Sequence, residues 1–429
     1  MHSLFICLIF SSLINSCLCA QVLQITDFHF DKDYDQYGDI TNFCHKSAND
    51  PPREDIGKFG NYHCDSPEAL VKNAVQNAKN NIPNPDFILW TGDNVPHIEG
   101  YNEDYVINAL NFSTSLLNST FPTTQIIPTF GNHDYAPANA FPDNYSNIYT
   151  RTYDLWKDWI GSDAKDTFLK GGYYKFSFKN ATFLVLNTNI YFRFNTANLT
   201  NPDDPADQFK FMADTLEDAK NKNQIIHVIA HIAPGVYERS PNFTWMFPEH
   251  NQKFVDITLK YASVIKWMIF AHHHSDTFHV LKNGSDPVQL MLMCPAVTTW
   301  YSDLSGGSSN NPAFRIIEYD DQTWDYTDIK TYYVNLLDLN KNPSINWTLE
   351  YSFKNDYNLT QINAQTMNDL LQRMKVDDNL FYQYMMYNSV GWSTQIPEGD
   401  LRLGQLCSIE YPDYPGYNKC MTNGTTVDF

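Results

Sequence analysis

Five apolar, strand-like runs in this chain each lead into a carboxylate, an amide or an imidazole side chain. The runs are residues 22–26, 87–91, 125–130, 224–230 and 265–271. Amphipathic stretches that are typical of helices lie among them, at residues 67–80, 103–118, 153–160, 209–221 and 252–261. Strands that alternate with helices indicate an α/β fold, in which functional side chains collect at the carboxyl ends of the strands. We therefore predict that these polar residues lie close together at one edge of the fold.

Further strand-like runs crowd the second half of the chain. They are residues 172–178, 182–186, 288–293, 314–319 and 331–336. A second sheet packed on the first would account for them, so the predicted fold class is α/β, a four-layer α/β/β/α sandwich over residues 21–337. Beyond residue 337 the pattern changes to two helical stretches, 364–376 and 378–386, followed by a tail that we expect a disulfide to tie. We predict that residues 338–429 form a small helical C-terminal subdomain.

The polar residues after these runs form a set of metal ligands. In an extended strand, residues two apart point to the same side, so Asp27 and His29 can reach one ion. Asp93 follows a glycine, where its carboxylate can bridge two ions. The predicted first site contains Asp27, His29, Asp93 and His274, and the predicted second site contains Asp93, Asn132, His231 and His272. Carboxylates, imidazoles and one amide suit zinc, and two ions about 3.5–4 Å apart can activate a water for hydrolysis.

Two further histidines lie close to the ligands in sequence. His133 follows Asn132, and we expect Asp134 to hold its ring in one tautomer so that it can act as a general acid. His97, four residues after Asp93, could bind a phosphate oxygen or share that role. The remaining histidines are given no role: His273 is expected to be a bystander and His227 a core residue, and no motif includes His45, His63, His250 or His279.

The N-terminus has the pattern of a secretory signal peptide. Residues 4–14 form an apolar run too short to span a bilayer, and small and polar residues follow up to Ala20. We predict that residues 1–20 are removed and that the protein is secreted or delivered to lysosomes. No later segment is long and apolar enough to cross a membrane, so no transmembrane anchor is expected. The formal net charge of -20 argues against a partner that is a nucleic-acid polymer.

Cysteines and glycosylation sequences agree with an oxidising compartment. Five cysteines remain after the signal peptide, and we pair Cys44 with Cys64 and Cys407 with Cys420 because each pair closes a short polar loop. Cys294 lies after an apolar run and is predicted to be a buried thiol. Ten Asn-x-Ser/Thr sequences are predicted glycan acceptors on the surface. They are Asn111, Asn118, Asn144, Asn180, Asn198, Asn242, Asn283, Asn346, Asn358 and Asn423.

The motifs resemble those of the acid sphingomyelinase-like phosphodiesterases, in the calcineurin-like metallophosphoesterase superfamily. The resemblance rests on five stretches, QITDFHFD at Gln24, WTGDNVPH at Trp90, FGNHDYAP at Phe130, IAHIAP at Ile229 and FAHHHSD at Phe270. It implies two zinc ions per subunit on the ligands named above. It also implies that His133 and His97 serve the phosphate and the leaving group, and that a metal-bound hydroxide attacks phosphorus. Trp300 and Tyr301 could line the leaving-group pocket, and ordinary core packing would explain them nearly as well.

The resemblance leaves the substrate open. Sphingomyelin or a related phosphocholine ester, cleaved to ceramide or an alcohol plus phosphocholine, is the first expectation, with transient contact to a membrane surface. The first strand follows the predicted signal peptide directly, leaving no room for an N-terminal saposin domain, which favours a paralogue acting on soluble nucleotide phosphodiesters. Ala271 stands where the family usually has glycine, a change that we expect to be tolerated.

Two other classes of protein remain as alternatives. A non-catalytic, metal-binding secreted glycoprotein would be expected to lose ligand residues or His133, and none is lost. A phosphomonoesterase of the same superfamily is disfavoured because Pro96 stands where purple acid phosphatases carry a tyrosine ligand, and because His97 follows it.

Overall fold

A computed structural model describes residues 20–423 of the 429-residue chain. The predicted signal peptide lies outside the described residues, apart from Ala20. The strands of the described part are β1 Ala20–Ile25, β2 Tyr34–Asp39, β3 Phe87–Trp90, β4 Gln125–Pro128, β5 Tyr174–Phe178, β6 Ala181–Val185, β7 Ile225–Ile229, β8 Ile265–Phe270, β9 Thr277–Asn283, β10 Asp286–Met293, β11 Ala313–Tyr319, β12 Tyr326–Tyr333 and β13 Thr348–Ser352. Its helices are α1 Glu68–Asn81, α2 Glu103–Thr120, α3 Asn147–Ile160, α4 Lys165–Gly171, α5 Gln208–Lys222, α6 Pro248–Lys260, α7 Leu336–Lys341, α8 Phe353–Asp356, α9 Ala364–Met374, α10 Asp378–Asn388, α11 Gly399–Glu410 and α12 Tyr414–Asn423.

Two six-stranded sheets form the centre of the molecule. The first has the order β13-β12-β11-β1-β3-β4 and the second the order β5-β6-β7-β8-β10-β9. Strands β1, β3 and β4 run parallel, as do β6, β7, β8 and β10, so each sheet presents several carboxyl ends at one edge. Helices α1 and α3 contact the first sheet, whereas α5, α6, α9 and α11 contact the second. The predicted α/β class with two sheets is confirmed.

Aromatic side chains fill the space between the sheets. Phe87 of β3 packs against Phe183 of β6, with ring centroids 5.0 Å apart, and against Trp267 of β8 at 6.4 Å. All four residues of β3 are buried, as expected for a strand covered on both faces. The central strands are thus held rigidly, which fixes the positions of the polar residues that follow them.

Three strands, β2, β9 and β13, were not predicted from the sequence, and the predicted position of β12 was too far toward the C-terminus. β9 carries polar residues among apolar ones directly after a histidine cluster, and β13 is a mostly polar edge strand, so neither shows a clear period. β2 lies outside both six-stranded sheets. The predicted strand 331–336 lies too far along the chain. β12 spans Tyr326–Tyr333, and Asn335 then caps α7 by accepting a hydrogen bond from the Asp338 backbone N–H.

The C-terminal region is more extensively joined to the sandwich than the sequence suggests. β13 pairs antiparallel with β12 and completes the first sheet. The helices predicted at 364–376 and 378–386 are α9 and α10, and the tail adds α11 and α12. α9 and α11 lie on the second sheet. The boundary at residue 338 stays a prediction. β13, which comes after that residue, belongs to the first sheet.

The cysteine predictions are confirmed. Disulfides join Cys44 to Cys64 and Cys407 to Cys420, the latter linking α11 to α12. Cys294 is a buried free thiol, and burial raises its pKa. Nine of the ten predicted glycan acceptors are exposed, while the side chain of Asn423 lies outside the described residues. Within residues 20–423, no helix has the length and apolar character needed to span a bilayer.

Candidate metal centre

Sharp turns follow the central strands and aim the predicted ligands at one point. Asp27, His29 and Asp93 have φ angles of 49°, 40° and 54°, in the left-handed region that non-glycine residues seldom adopt. His272 and His274 share this feature, with φ angles of 68° and 58°. Such backbone strain is typical of functional sites, where the surrounding fold holds the turn in place.

A glycine makes one of these approaches possible. A Cβ atom placed on Gly131 would collide with the carboxylate and the backbone of Asp93. The close contact between the loops after β3 and β4 therefore requires glycine at this position. It brings Asn132 and Asp93 to the same side of the sheet edge.

The first predicted ligand set is brought together as expected. The Nε2 atom of His29 lies 3.4 Å from Oδ2 of Asp93 and 3.2 Å from Nε2 of His274. The Nε2 atom of His274 lies 3.3 Å from Oδ1 of Asp27. These four residues offer ligand atoms that all lie within 4.8 Å of one another.

The second predicted ligand set lies beside the first and shares Asp93 with it. The Nε2 atom of His231 lies 3.0 Å from Oδ2 of Asp93 and 3.1 Å from Oδ1 of Asn132. The Nδ1 atom of His272 lies 3.2 Å from Nε2 of His231. Asp93 is therefore placed to bridge two cations.

Backbone carbonyls orient two of the ligand rings. The Nδ1 atom of His29 donates to the Val95 carbonyl at 2.8 Å, and that of His231 donates to the Thr91 carbonyl at 2.7 Å. Each bond fixes the orientation of the ring and leaves the Nε2 atom directed into the site. Such outer contacts accompany most histidines that bind metals.

The donor set fits a pair of divalent cations. The buried Oδ1 of Asp27 has no hydrogen-bond donor among the described residues. The ring nitrogens of His29 and His274 face each other, as do those of His231 and His272, and lone pairs that face each other repel unless a proton or a cation lies between them. A cation bound by each set would satisfy the carboxylate and both pairs of rings.

Charges at the site favour cations even in the free protein. Burial alone would lower the pKa of His29 and of His231, but the Asp93 carboxylate raises both values to about 9. The pKa of Asp93 lies well below its ordinary value because both imidazoles offset the cost of its burial. Metal ions would therefore replace protons on these rings.

His133 lies at the centre without joining either ligand set. Its backbone N–H donates to Oδ1 of Asp93 at 2.9 Å, and its Nδ1 atom is buried with no partner among the described residues. The prediction that Asp134 holds this ring is wrong. Asp134 instead accepts from the backbone N–H groups of Asn94 and Gly131, at 2.7 and 2.9 Å, and fixes the ligand loops.

The carboxylate next to a candidate acid is Asp65, and it serves His97. The Nδ1 atom of His97 donates to Oδ1 of Asp65 at 2.9 Å. The ring stacks between Trp300, at 4.0 Å between centroids, and His29, at 4.1 Å. Burial and the cationic forms of nearby histidines lower the pKa of His97. Sequence reasoning missed Asp65, whose one signal was its position next to Cys64.

A cavity of about 320 Å³ opens over the centre. Its walls include Tyr237, Trp245 and Trp300, and the exposed carboxylate of Asp303 lies at its rim. None of the described residues that line it is a lysine or an arginine. Tyr301, named with Trp300 as able to line the pocket, packs instead near Trp392, with ring centroids 6.1 Å apart.

Comparison with known proteins extends over nearly the whole chain. A family model described as calcineurin-like phosphoesterase matches residues 20–276, and one described as acid sphingomyelin phosphodiesterase C-terminal region matches residues 286–427. Acid sphingomyelinase-like phosphodiesterase 3b from Homo sapiens is 34% identical, and the match covers 94% of this chain and 90% of that protein. Cyclic GMP-AMP phosphodiesterase SMPDL3A from Homo sapiens is 33% identical, with coverages of 94% and 90%. Sphingomyelinase phosphodiesterase C from Dictyostelium discoideum is 29% identical, with coverages of 93% and 92%.

Proposed function

The chain belongs to the acid sphingomyelinase-like phosphodiesterases, within the calcineurin-like phosphoesterase family, and we propose that it is a dizinc enzyme that releases phosphocholine from sphingomyelin or a related phosphocholine ester. The family uses a dimetal centre, and the chain carries a cluster of residues that fits one. The observation that carries the proposal is the convergence of two ligand sets on Asp93, with His133 and His97 beside them. Imidazole and carboxylate ligands favour zinc over magnesium or calcium.

The charge of the cavity supports a phosphocholine ester. Asp303 and the aromatic walls suit a quaternary ammonium group, which is attracted to the faces of tryptophan and tyrosine. A nucleotide with several phosphates would find no lysine or arginine among the described residues of this cavity. The volume of about 320 Å³ suits a headgroup and would leave the hydrophobic part of a lipid outside.

Two zinc ions, when bound, supply Lewis acidity and a water-derived nucleophile at ordinary pH. Asp93 holds the two ligand sets together, and its Oδ1 fixes the backbone of His133. His133 donates a proton to the leaving oxygen. Burial lowers its pKa, so a bound phosphodiester anion would be needed to favour its protonated form.

His97 assists at the phosphate. With its Nδ1 atom bonded to Asp65, its Nε2 atom is directed away from that carboxylate and can contact a non-bridging phosphate oxygen. The centroids of the His97 and His133 rings lie 4.4 Å apart, so both imidazoles can act on the same phosphate group. Trp300 keeps the His97 ring in this orientation by stacking on it.

A soluble nucleotide phosphodiester is the second candidate substrate. Trp300 presents an aromatic side chain at the cavity on which a base could stack. One group of relatives bears the name cyclic GMP-AMP phosphodiesterase. A single phosphodiester, unlike a nucleotide polyphosphate, carries a charge that the two zinc ions can neutralise.

We also propose that the protein is secreted or lysosomal and carries N-linked glycans. The two disulfides, the exposed acceptor asparagines and the sequence of residues 1–20 support this location. Its contact with lipid would be a transient one at the membrane surface. Expression in cultured cells, followed by glycosidase treatment of the medium and of the lysosomal fraction, tests this part of the proposal.

Phosphocholine release is the test of the substrate. Sphingomyelin in mixed detergent micelles and a cyclic dinucleotide would be compared at pH 5 and pH 7.5, with and without zinc and a chelator. Zinc-dependent release of phosphocholine is expected. Turnover of the dinucleotide alone would establish the second candidate, and the lack of any turnover by zinc-loaded protein would favour a metal-binding glycoprotein without activity.

A further inference from the structure

Three buried side chains outside the dinuclear centre form another cluster of metal-binding groups. Glu238 lies in the segment after β7, His273 between β8 and β9, and His279 within β9. All three are buried, and one ligand atom of each lies within 4.8 Å of the other two. Distant parts of the chain therefore bring a carboxylate and two imidazoles to one point.

Three ring nitrogen atoms of this cluster lack an ordinary hydrogen-bond partner among the described residues. The Nδ1 atom of His273 lies 2.6 Å from Oε2 of Glu238. The Nε2 atom of His273 and both ring nitrogens of His279 are buried without a well-aligned hydrogen bond among the described residues, and the Pro234 carbonyl is the one acceptor near the His279 ring. Buried polar atoms nearly always have partners, so the His279 ring, buried beside the Glu238–His273 pair, indicates a ligand at this point.

Glu238 supplies the cluster with an ionised carboxylate. Although burial opposes ionisation, interactions with His273 and Arg239 lower the pKa of Glu238 to about 2. Arg239 makes no ion pair with this carboxylate, because its guanidinium donates to Asn388 and Ser308. Burial lowers the pKa of His279 to about 3, which keeps the ring neutral, the form that binds metals.

We propose that Glu238, His273 and His279 bind a third divalent metal ion, most suitably zinc. Two histidines and one glutamate form a recognised zinc ligand set, with a water molecule as the fourth ligand. His273 and Tyr237 line the cavity over the dinuclear centre, which gives the ion a path of entry. The Nδ1 atom of His273 already faces Oε2 of Glu238 at 2.6 Å, so an ion would take the place of the proton between them, with zinc binding nitrogen and oxygen at about 2.0–2.2 Å.

The third ion would hold in place the loop between the two predicted ligand sets. His273 lies between His272 and His274, one from each predicted ligand set, so a metal on His273 fixes the turn that carries both. Glu238 and His279 anchor that turn to the segment after β7 and to β9. The proposal does not depend on the substrate or on catalysis at the dinuclear centre.

His227 provides a matched control. It is fully buried, and both its ring nitrogens lack partners, as in His279. Its neighbours are aromatic, with the rings of Trp267 and Trp324 centred 4.5 and 4.6 Å away. With no carboxylate beside it, this histidine belongs to no metal-binding group of the described residues.

Metal content tests the proposal. The protein would be produced with zinc, passed over a weak chelating resin and measured by mass spectrometry of the elements. Three zinc ions per chain are expected for the wild type and for His227→Gln, and two for Glu238→Gln and for His279→Gln. Two ions in a wild-type protein whose dinuclear centre is full, or three in both cluster variants, would overturn it.

A second measurement covers the case in which the cluster variants fail to fold. Anomalous scattering from wild-type crystals at the zinc absorption edge would show three peaks. The third peak is expected between Glu238, His273 and His279, and its absence from crystals that show both other peaks would overturn the proposal.

Discussion

At the scale of single residues, Asp93 connects every part of the metal centre. It faces His29 at 3.4 Å and His231 at 3.0 Å, and accepts from the backbone of His133 at 2.9 Å. Its φ angle of 54° and the glycine at position 131 show how closely the fold is adapted to this one carboxylate. The residues proposed to hold the metals and the residue proposed to donate a proton therefore depend on the same side chain in different ways.

Substitutions separate these two roles. Asp93→Ala is expected to lose bound metal, because both ligand sets lose their shared carboxylate. His133→Ala is expected to keep both metals of the centre while its kcat falls by about 10²–10⁴-fold, the usual effect of removing a general acid. Metal analysis and steady-state kinetics on the same samples check this. Near-normal turnover by His133→Ala would exclude its role as the acid.

Asp65 is expected to act through His97. Asp65→Asn removes the charge that orients the ring, and we expect kcat to fall by roughly 10–100-fold, as for other outer carboxylates. The pH profile should shift, whereas metal content should stay the same. Thr298→Val is the control, because it removes the hydroxyl that donates to Asp65 at 3.1 Å and keeps the hydrogen bonds from the backbone and the ring of His97 to Asp65. Equal losses in both variants would contradict a specific effect on His97.

Protons and metals are expected to compete at His29 and His231. Their pKa values of about 9 in the free protein lie above the ordinary value of about 6.5, so the stability that they contribute is full below pH 6.5 and is lost as pH rises through 9. The metal-free protein should thus be less stable at pH 9.5 than at pH 6.5. Zinc binding at pH 7.5 should release protons, as measured by calorimetry in two buffers of different ionisation enthalpy. Binding without proton release would show that these rings are already neutral.

At the scale of elements, the sequence was most informative where strands are buried and parallel. The runs before Asp27, Asp93 and His231 correspond to β1, β3 and β7 within a few residues. Strand-end geometry then placed all the predicted ligands together. The pairing of His97 with Asp65 could not be predicted, because it depends on the path of the loop tied by Cys44–Cys64 rather than on a local pattern.

Edge strands and the C-terminal region were harder to predict for a similar reason. β13 is stabilised by its pairing with β12, and little in its own sequence distinguishes it from a loop. α10 reaches the catalytic side of the molecule through Asn388, which accepts from Arg239 Nε at 2.8 Å and donates to Oε1 of Glu238 at 3.2 Å. Such long-range contacts carry no signal in the sequence around either partner.

Asn388 is expected to hold α10 against the segment after β7. Asn388→Ala leaves the buried Arg239 and Glu238 each short of a partner, and each loss should cost about 1–3 kcal/mol of unfolding free energy. Asn379→Ala, on the exposed side of the same helix, is the control and should change stability by less than about 0.5 kcal/mol. Urea unfolding of both variants gives the comparison. Equal midpoints for the two would show that the contact is not stabilising.

At the scale of the whole molecule, the two sheets meet so that each contributes to the centre. The first sheet supplies Asp27, Asp93 and Asn132, and the second supplies His231 and His272. The metals would therefore connect the two halves of the sandwich at its edge. The formal net charge of -20 would favour the approach of divalent cations to such a centre.

The most direct test is the metal dependence of phosphodiester hydrolysis. The protein would be stripped with a chelator and titrated with zinc, and hydrolysis of bis(p-nitrophenyl) phosphate would be followed beside Asp93→Ala. We predict that the stripped protein is inactive, that zinc restores turnover until both sites of the centre are filled, and that Asp93→Ala stays inactive throughout. Undiminished hydrolysis by the stripped protein, or by Asp93→Ala, would contradict a two-metal phosphodiesterase centred on Asp93.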